Sequence, residues 1–533
     1  MQSIEPHEGH SDERLSKNDQ ATDLEAGGTE SSKEKDASSD IDPTRNANIV
    51  DWDGANDPMN PLNWPGWKIK THIFLISIIT FITPLGSSIL APGVPQLVRE
   101  FHSTNISLAS LVVTIYLLGF AAGPLLLAPL SELYGRLIVY HISNILFLVF
   151  TIACAVASSM NMEIGFRFLA GAAGSAPLAL GGGTIADLIP QEKRGGAMAI
   201  YALGPVLGPV VGPVLGGFLT QAEGWRWLFW LLAIVVRVFS SIRSNTTPKK
   251  PHLSYKLTNI KLGVIILLSL ALMRETYAVT LIGRKTIAQR KFTGNMKLRS
   301  KYDRGLSPRQ LWYISIIRPA KMLVYSPILL LLSLFMAVIY GYLYLLFTTF
   351  TEVFGDQYHF STGITGLAYL GIGVGNVLGL MCTGIALDKL VKSKSASGEM
   401  KPEDRLPPMI WVAPFMPTGL FIYGWTADKD IHWIVPIIGT MLFGFGLIAT
   451  FMTVQVYIVD AFTIYAASGL AANTLLRSVI GAVLPLAGPK MYQTLGLGWG
   501  NSLLAFIALV MCPIPWVFYH HGERIRKSSS AVF

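Results

Sequence analysis

From Ile69 onward the chain consists of apolar stretches long enough to cross a bilayer, separated by short polar breaks. A helix needs about 20 residues, at about 1.5 Å each, to span a hydrocarbon core of about 30 Å. Lipid offers backbone amides no partner, so each stretch must close its own hydrogen bonds as a helix. The spacing predicts spans near residues 70–92, 107–130, 138–158, 162–186 and 196–220. After a sixth, six more follow near 324–350, 362–387, 408–426, 432–459, 464–487 and 497–519. Charged residues make up 14% of the chain, against about 25% in soluble domains, which argues against an ordinary cytosolic enzyme.

The charge is unevenly spread. Residues 1–66 hold 15 acids and 5 bases, a net of −10, so the formal +9 of the whole chain leaves +19 on the rest. A remainder that basic, yet so poor in charge, does not suit a nucleic-acid partner; its bases belong where apolar runs end. Residues 1–48 are too polar to bury a core and read as a disordered cytosolic tail. In Asp51–Lys68, Pro58, Pro61 and Pro65 forbid a regular helix, while Trp52, Trp64 and Trp67 suit a membrane–water interface. A plain proline-rich linker is the other reading of that stretch. Cys154, Cys382 and Cys512 lie inside apolar runs, which excludes a disulfide scaffold and offers no zinc spacing. No basic-then-apolar signal peptide opens the chain, so insertion is expected to rely on the first span.

A basic segment, Arg284–Lys321, carries eleven Lys/Arg against one acid, Asp303, and divides the spans six plus six. The expected organisation is a tail over 1–66, a six-helix bundle over 67–283, a cytosolic linker over 284–321, a second bundle over 322–521 and a tail over 522–533. Arg136, Lys193, Arg194, the basic segment, Lys389–Arg405 and Arg524–Lys527 all fall on one side of this arrangement. Only Arg99, Lys429 and Lys490 fall on the other, so the positive-inside rule puts both termini in the cytosol. The sequon Asn105-Ile-Ser107 then lies in the first outer loop, as a glycosylation candidate or a chance match.

The sixth span is broken. Trp225–Val236 and Leu262–Met273 are apolar, 12 residues each, and each about 18 Å as helix, too short to cross alone. Between them Arg237–Lys261 holds six bases and no acid. If both pieces crossed separately there would be thirteen spans, with the Arg284–Lys321 cluster outside. The charge rule favours one helix interrupted by 237–261, either a translated intron or a genuine insertion.

Several segments resemble the major facilitator superfamily, in its fungal branch of twelve-helix drug:proton antiporters, from about Asp57 to His521. They are DPMNPLNWP (Asp57–Pro65), PLSELYGR (Pro129–Arg136), RFLAGAAGSAPLALGGGTIADL (Arg167–Leu188), GPVLGPVVGPVLGG (Gly204–Gly217) and AANTLLRSVIGAVLP (Ala471–Pro485). The resemblance implies an all-α membrane protein of two pseudo-symmetric six-helix bundles with twelve transmembrane helices. It also implies proton-coupled efflux of a small organic compound, and assigns the Gly-Pro helix to exporters and Arg167 to proton coupling.

The residues themselves allow the following. Glycines four apart lie near one helical face, so Gly204, Gly208, Gly212 and Gly216 permit close packing, while Pro205, Pro209 and Pro213 bend the helix. That stretch is either a stiff surface on which the bundles rock or tight packing alone. Glu132, Gly135 and Arg136 form a candidate charge latch, or an ordinary solvated turn; Asp388 in GIALDKLVK is the matching candidate in the second half. Arg167 lies inside the fourth span, where a guanidinium needs a cavity or a partner, and Glu163 sits four residues earlier. A purely structural ion pair is the alternative. Proton exchange needs a titratable group, and Glu163 and Glu352 are the candidates. Tyr116, Tyr340, Tyr342, Tyr344, Tyr369, Asn376, Gln455, Tyr457, Asn473 and Arg477 are cavity candidates, although tyrosines also pack in cores and aromatic belts. That lining suits neutral or cationic amphipaths better than sugars or anions. His520 and His521 read as a solvated helix end, not a metal site, and no phosphate-binding loop is present.

The expectation is therefore a non-enzymatic, monomeric, multi-pass carrier of the cell membrane, with a small molecule and protons as partners and no cofactor. Two alternatives remain at this point: a polyamine or nutrient uptake carrier of the same fold, and a non-transporting membrane sensor.

Overall fold

The computed structural model describes residues 48–190, 193–235, 268–269, 271–303, 305, 307–397 and 401–529. Residues 1–47 of the tail expected over 1–66, and the anomalous segment 237–261, lie outside these residues. The first five spans are Gly66–Ser88, Ile106–Tyr134, Arg136–Ala155, Met160–Gly174 continued by Ala176–Leu188, and Gly195–Glu223. Arg226–Val235 begins the sixth. Two linker helices, Ala278–Thr293 and Pro308–Tyr325, come before the second half. Its spans are Pro327–Glu352, Thr362–Ala368 continued by Leu370–Ser397, Pro407–Val412 continued by Phe415–Asp428, and Ile434–Phe462. Ala466–Val483, Gly488–Met511 and Pro513–Ser529 complete the chain.

Among the described residues ten helical stretches are long and apolar enough to cross a membrane. One of them, Ala466–Arg526, has 61 residues and reverses at Gly496, whose φ of 73° an L side chain rarely adopts. It supplies the eleventh and twelfth spans. Side chains cap several helix starts: Asn105 accepts from the Ser107 and Leu108 amides, and Ser326 from that of Leu329.

Span pairing repeats between the halves. The first packs on the fifth as the seventh packs on the eleventh, the second on the fourth as the eighth on the tenth, and the third on the fourth as the ninth on the tenth. The second also meets the eleventh, and the fifth meets the eighth, which joins the halves symmetrically. Helix termini, linker and the Lys401–Arg405 segment gather at one end, here the linker end; the opposite end is the far end.

The two flanks of the broken span lie at opposite ends. At the far end the Trp225 amide donates to Gln96 Oε1 (2.9 Å) and Arg226 pairs with Glu100 (2.7 Å). At the linker end the Arg274 amide donates to His72 Nε2 (2.9 Å).

The proline-rich stretch ahead of the first span is a strap. Ile49–Val50 pairs in parallel with Arg299–Ser300 of the linker, over a small core of Val50, Ile282 and Leu298. Lys285 Nζ reaches Asp53 Oδ1 (2.6 Å) and the Asp51 carbonyl (2.9 Å), and Lys301 pairs with Asp51 (2.6 Å). Asp57 folds the turn by accepting the Asp53 and Met59 amides at 2.8 Å each. Those backbone donors hold its carboxyl below the usual aspartate value of 3.8, and the Lys301 ammonium does the same for Asp51. A depressed folded value means that the contribution is present above the unfolded value and is lost as pH falls through the folded one. The strap is thus fully attached at neutral pH and loosens only in acid. Asp57→Ala is expected to speed limited proteolysis within residues 49–63 several-fold while leaving the melting temperature of the bundles unchanged.

Candidate functional site

The fifth span shows how the Gly-Pro repeat works. A Cβ on Gly204 or Gly208 would lie 2.8–3.0 Å from first-span backbone atoms of Thr80, Phe81 and Leu85; Gly212 and Gly216 meet Leu85, Ser88 and Ile89. The glycine face therefore holds the first span within its own half. Of the two readings of this stretch, the glycine face fits tight packing within one half, since one face four residues apart has room for one partner. The prolines remove amide donors, so Pro213 leaves the Pro209 carbonyl free, and Ser88 Oγ donates to it (2.9 Å). The contact with the second half falls on the neighbouring face. A Cβ on Gly217 would sit 2.6 Å from the Thr362 carbonyl oxygen and 3.1 Å from Gly366 Cα, and Gln221 Oε1 accepts the Gly363 amide (2.8 Å).

Arg167 is 1% exposed, and its donors go to backbone, not to Glu163. Its guanidinium donates to the carbonyls of Ser87 (2.8 Å), Gly86 (3.4 Å) and Val113 (3.3 Å). The physical reason lies in the first span, whose helix ends at Ser88 ahead of Ala91-Pro92-Gly93. The last carbonyls of a helix have no amide partner and carry its negative end, so a buried cation there caps them. This corrects the expected ion pair. Glu163 is fully buried, its carboxyl makes no ion pair among the described residues, and the donor beside it is the Cys154 thiol. Tyr116, Cys154 and Arg167, with Phe229 of the sixth span, line a cavity of about 10 Å³, near the lower limit for one water molecule. The Tyr116 hydroxyl donates to the Thr83 carbonyl (2.9 Å), and Arg167 lies 5.3 Å from its ring. A bridge to the second half starts here: Ser87 Oγ and the Tyr344 hydroxyl lie 2.8 Å apart. Glu352, by contrast, is exposed at the far end of the seventh span and makes no hydrogen bond among the described residues.

At the linker end Arg136 pairs with Asp187 (2.5 Å), not with Glu132, which is exposed and without a partner among the described residues. Gly135, at a φ of 96°, turns the chain so that the third span starts with its amides aimed at Glu275. That carboxylate accepts the Arg136 and Leu137 amides at 3.1 and 3.2 Å. The second half repeats the plan away from Asp388, which is exposed and likewise unpartnered. There Arg405 pairs with Asp460 (2.7 Å), and Glu403 accepts from Arg526 (3.0 Å). Tyr457 donates to that same Glu403 (3.4 Å), which moves it from the expected cavity to this cluster. Along the chain Asp187, Glu275 and Asp460 stand out only as acids at helix ends; their partners are distant in sequence and become visible only once the helices pack.

Of the remaining cavity candidates, the Tyr340 and Tyr344 rings meet at a tilt with their centroids 5.2 Å apart, and Arg477 lies over Tyr340 at 4.7 Å. Asn473 and Asn376 are buried with unpartnered amide atoms, and Gln455 is half-buried on the tenth span. Asn105 is exposed at the far end.

The Major Facilitator Superfamily model matches residues 76–485. The chain belongs to the major facilitator superfamily. It is 64% identical over 493 residues to the MFS-type transporter atr4 of Stereocaulon alpinum, covering 92% of this chain and 84% of that one. It is 50% identical over 497 residues to the efflux pump radE of Floropilus chiversii, covering 92% and 88%. Among solved structures, a partially occluded inward open conformation of the xylose transporter XylE from E. coli matches with a TM-score of 0.60. The identity is 16%, and the match covers 85% of this chain and 98% of that one, a likeness of fold. The chain is accordingly a multi-pass membrane transporter of the major facilitator fold, with two six-helix bundles and twelve spans, and not an enzyme.

Proposed function

We propose that this transporter exports a small organic compound across the cell membrane in exchange for protons, working as a monomer with both termini in the cytosol. The observation that carries the reading is Glu163: a carboxyl buried inside a membrane-spanning half, with only the weakly donating Cys154 thiol beside it, one turn from the cation that caps the first span. An ionised carboxylate left without a partner there is costly, so proton gain and loss at Glu163 must accompany a change in its surroundings. Arg167 supplies that link, because it holds the Ser87 carbonyl while the Ser87 hydroxyl meets Tyr344 of the other half. The Arg136–Asp187 and Arg405–Asp460 pairs act as latches at the linker end, broken and re-formed as the halves rock about a midplane site. Similarity to a protein named an efflux pump supports the outward direction.

The test starts with resistance to a panel of toxic compounds in a transporter-deleted host. Compounds excluded by the host expressing this chain are then followed in reconstituted vesicles under an imposed pH gradient. Gradient-driven accumulation with matching proton movement is expected. Glu163→Gln is expected to reduce that accumulation to the level of protein-free vesicles while leaving cargo–cargo exchange intact. Uptake into cells in place of exclusion, or gradient-driven transport by the Gln variant at the normal rate, refutes the reading.

A further inference from the structure

Arg477 is the second arginine placed well inside a span. It stands 11 residues into Ala466–Val483, about 17 Å of helix and so near mid-bilayer, far from any lipid headgroup. A guanidinium stays charged in proteins and is expensive at that depth without a partner. Arg167 meets this need with backbone carbonyls; Arg477 does not. Among the described residues no carboxylate lies within 4.0 Å of it, and its Nε has no hydrogen-bond partner. What surrounds it is aromatic: its guanidinium lies 4.7 Å from the Tyr340 ring and 5.0 Å from that of Phe451. One turn earlier on the same helix, Asn473 is fully buried with both its amide oxygen and nitrogen unpartnered. The seventh, tenth and eleventh spans thus converge on a fixed positive charge, an unused amide and two ring faces.

We propose that this cluster recognises the anionic group of the cargo, and that the cargo is an aromatic acid. The inference rests on the exporter reading and specifies its substrate class. A carboxylate accepts the planar guanidinium fork and the Asn473 amide together, while its ring packs on Tyr340 and Phe451. A neutral cargo leaves the guanidinium unpaired, and a cationic one is repelled. The expectation of neutral or cationic cargo, drawn from tyrosines and amides alone, is replaced because an arginine without an acid dominates the local field. The position also connects to the proposed coupling site: the Tyr340 ring leans against that of Tyr344, whose hydroxyl meets Ser87, whose carbonyl accepts from Arg167.

The experiment uses the purified full-length chain and three probes of one shape: naphthoate, naphthamide and naphthylmethylammonium, titrated by tryptophan quenching. Naphthoate is expected to bind at least about tenfold more tightly than the amide, the scale of a charge-assisted hydrogen bond, and more tightly still than the ammonium. Arg477→Gln is expected to bring naphthoate and naphthamide within about twofold of each other, and Arg477→Lys to keep part of the preference. Equal or cation-favouring binding by the wild type, no binding of naphthoate, or undiminished preference in Arg477→Gln overturns the proposal. If the Gln variant does not fold, the wild-type series and Arg477→Lys decide it, any retained preference in Lys supporting the site and its complete loss opposing it. Vesicle measurements separate the two readings. Proton-coupled movement of the ammonium but not of naphthoate leaves the exporter standing and sinks the aromatic acid. Naphthoate bound tightly but moved without protons does the reverse.

Discussion

Arg167→Ala is expected to abolish transport, lowering it by at least about a hundredfold, with the protein still reaching the membrane. The side chain makes no ion pair, so the loss does not arise from freeing Glu163. It arises because the Gly86, Ser87 and Val113 carbonyls, in two different spans, lose a shared donor. The Gly86 and Ser87 carbonyls, at the helix end, then lack a partner at about 1–3 kcal/mol each, enough to disorder the end of the first span, whereas Val113 lies inside its own helix. That end carries Ser87, which touches Tyr344 across the interface. Arg167→Lys separates charge from geometry. An ammonium has no planar fork to reach three carbonyls, so the variant is expected to restore the charge and surface level but recover little transport. Surface labelling and transport on the same cells measure both quantities. Normal transport in Arg167→Ala would falsify the capping role together with the coupling it serves.

Gly217→Leu is expected to have the next largest effect, and by another route. The nearest atoms to the added Cβ are backbone, the Thr362 carbonyl oxygen and Gly366 Cα, so no side-chain rotation relieves the contact. Overpacking of this kind costs about 1–3 kcal/mol, which shifts a two-state equilibrium by about 5–150-fold. The penalty falls on this arrangement, in which the fifth and eighth spans touch, and disfavours it against one in which they separate. Transport should fall in proportion, while a cysteine placed at Thr351, next to the Ala91 carbonyl at the far end, becomes more reactive to an impermeant reagent in a cysteine-free background. Gly216→Leu tests a different contact, since its neighbour Ile89 belongs to the same half; it should lower stability more than it shifts labelling. Equal labelling of Gly217→Leu and the parent would show that this contact is permanent.

The two arginines inside spans show where reading residues along the chain stops. Arg167 and Glu163 stand four apart on one helix, and that spacing alone suggests a pair. In the folded chain the guanidinium turns to the first span, because a helix end interrupted by Ala91-Pro92-Gly93 presents carbonyls that need a donor. Arg477 is one cavity candidate among tyrosines and amides in the sequence, and only the absence of any acid within 4.0 Å of it, among the described residues, sets it apart. The latch followed the same course: Glu132 is near Arg136 in sequence, but Asp187 and Glu275 are near it in space.

The sequence by itself determined the number of crossings, the division into halves and the glycine face of the fifth span. Those follow from local quantities: the length of an apolar run against the thickness of a bilayer, and the four-residue repeat of a helix. The tertiary structure alone decided which face meets which span, which carboxylate answers each arginine, and which buried polar groups are left without a partner. In lipid every helix is individually permitted, so the choice among packings rests on close backbone approach and on satisfying buried charge. Both depend on residues brought together from opposite ends of the chain.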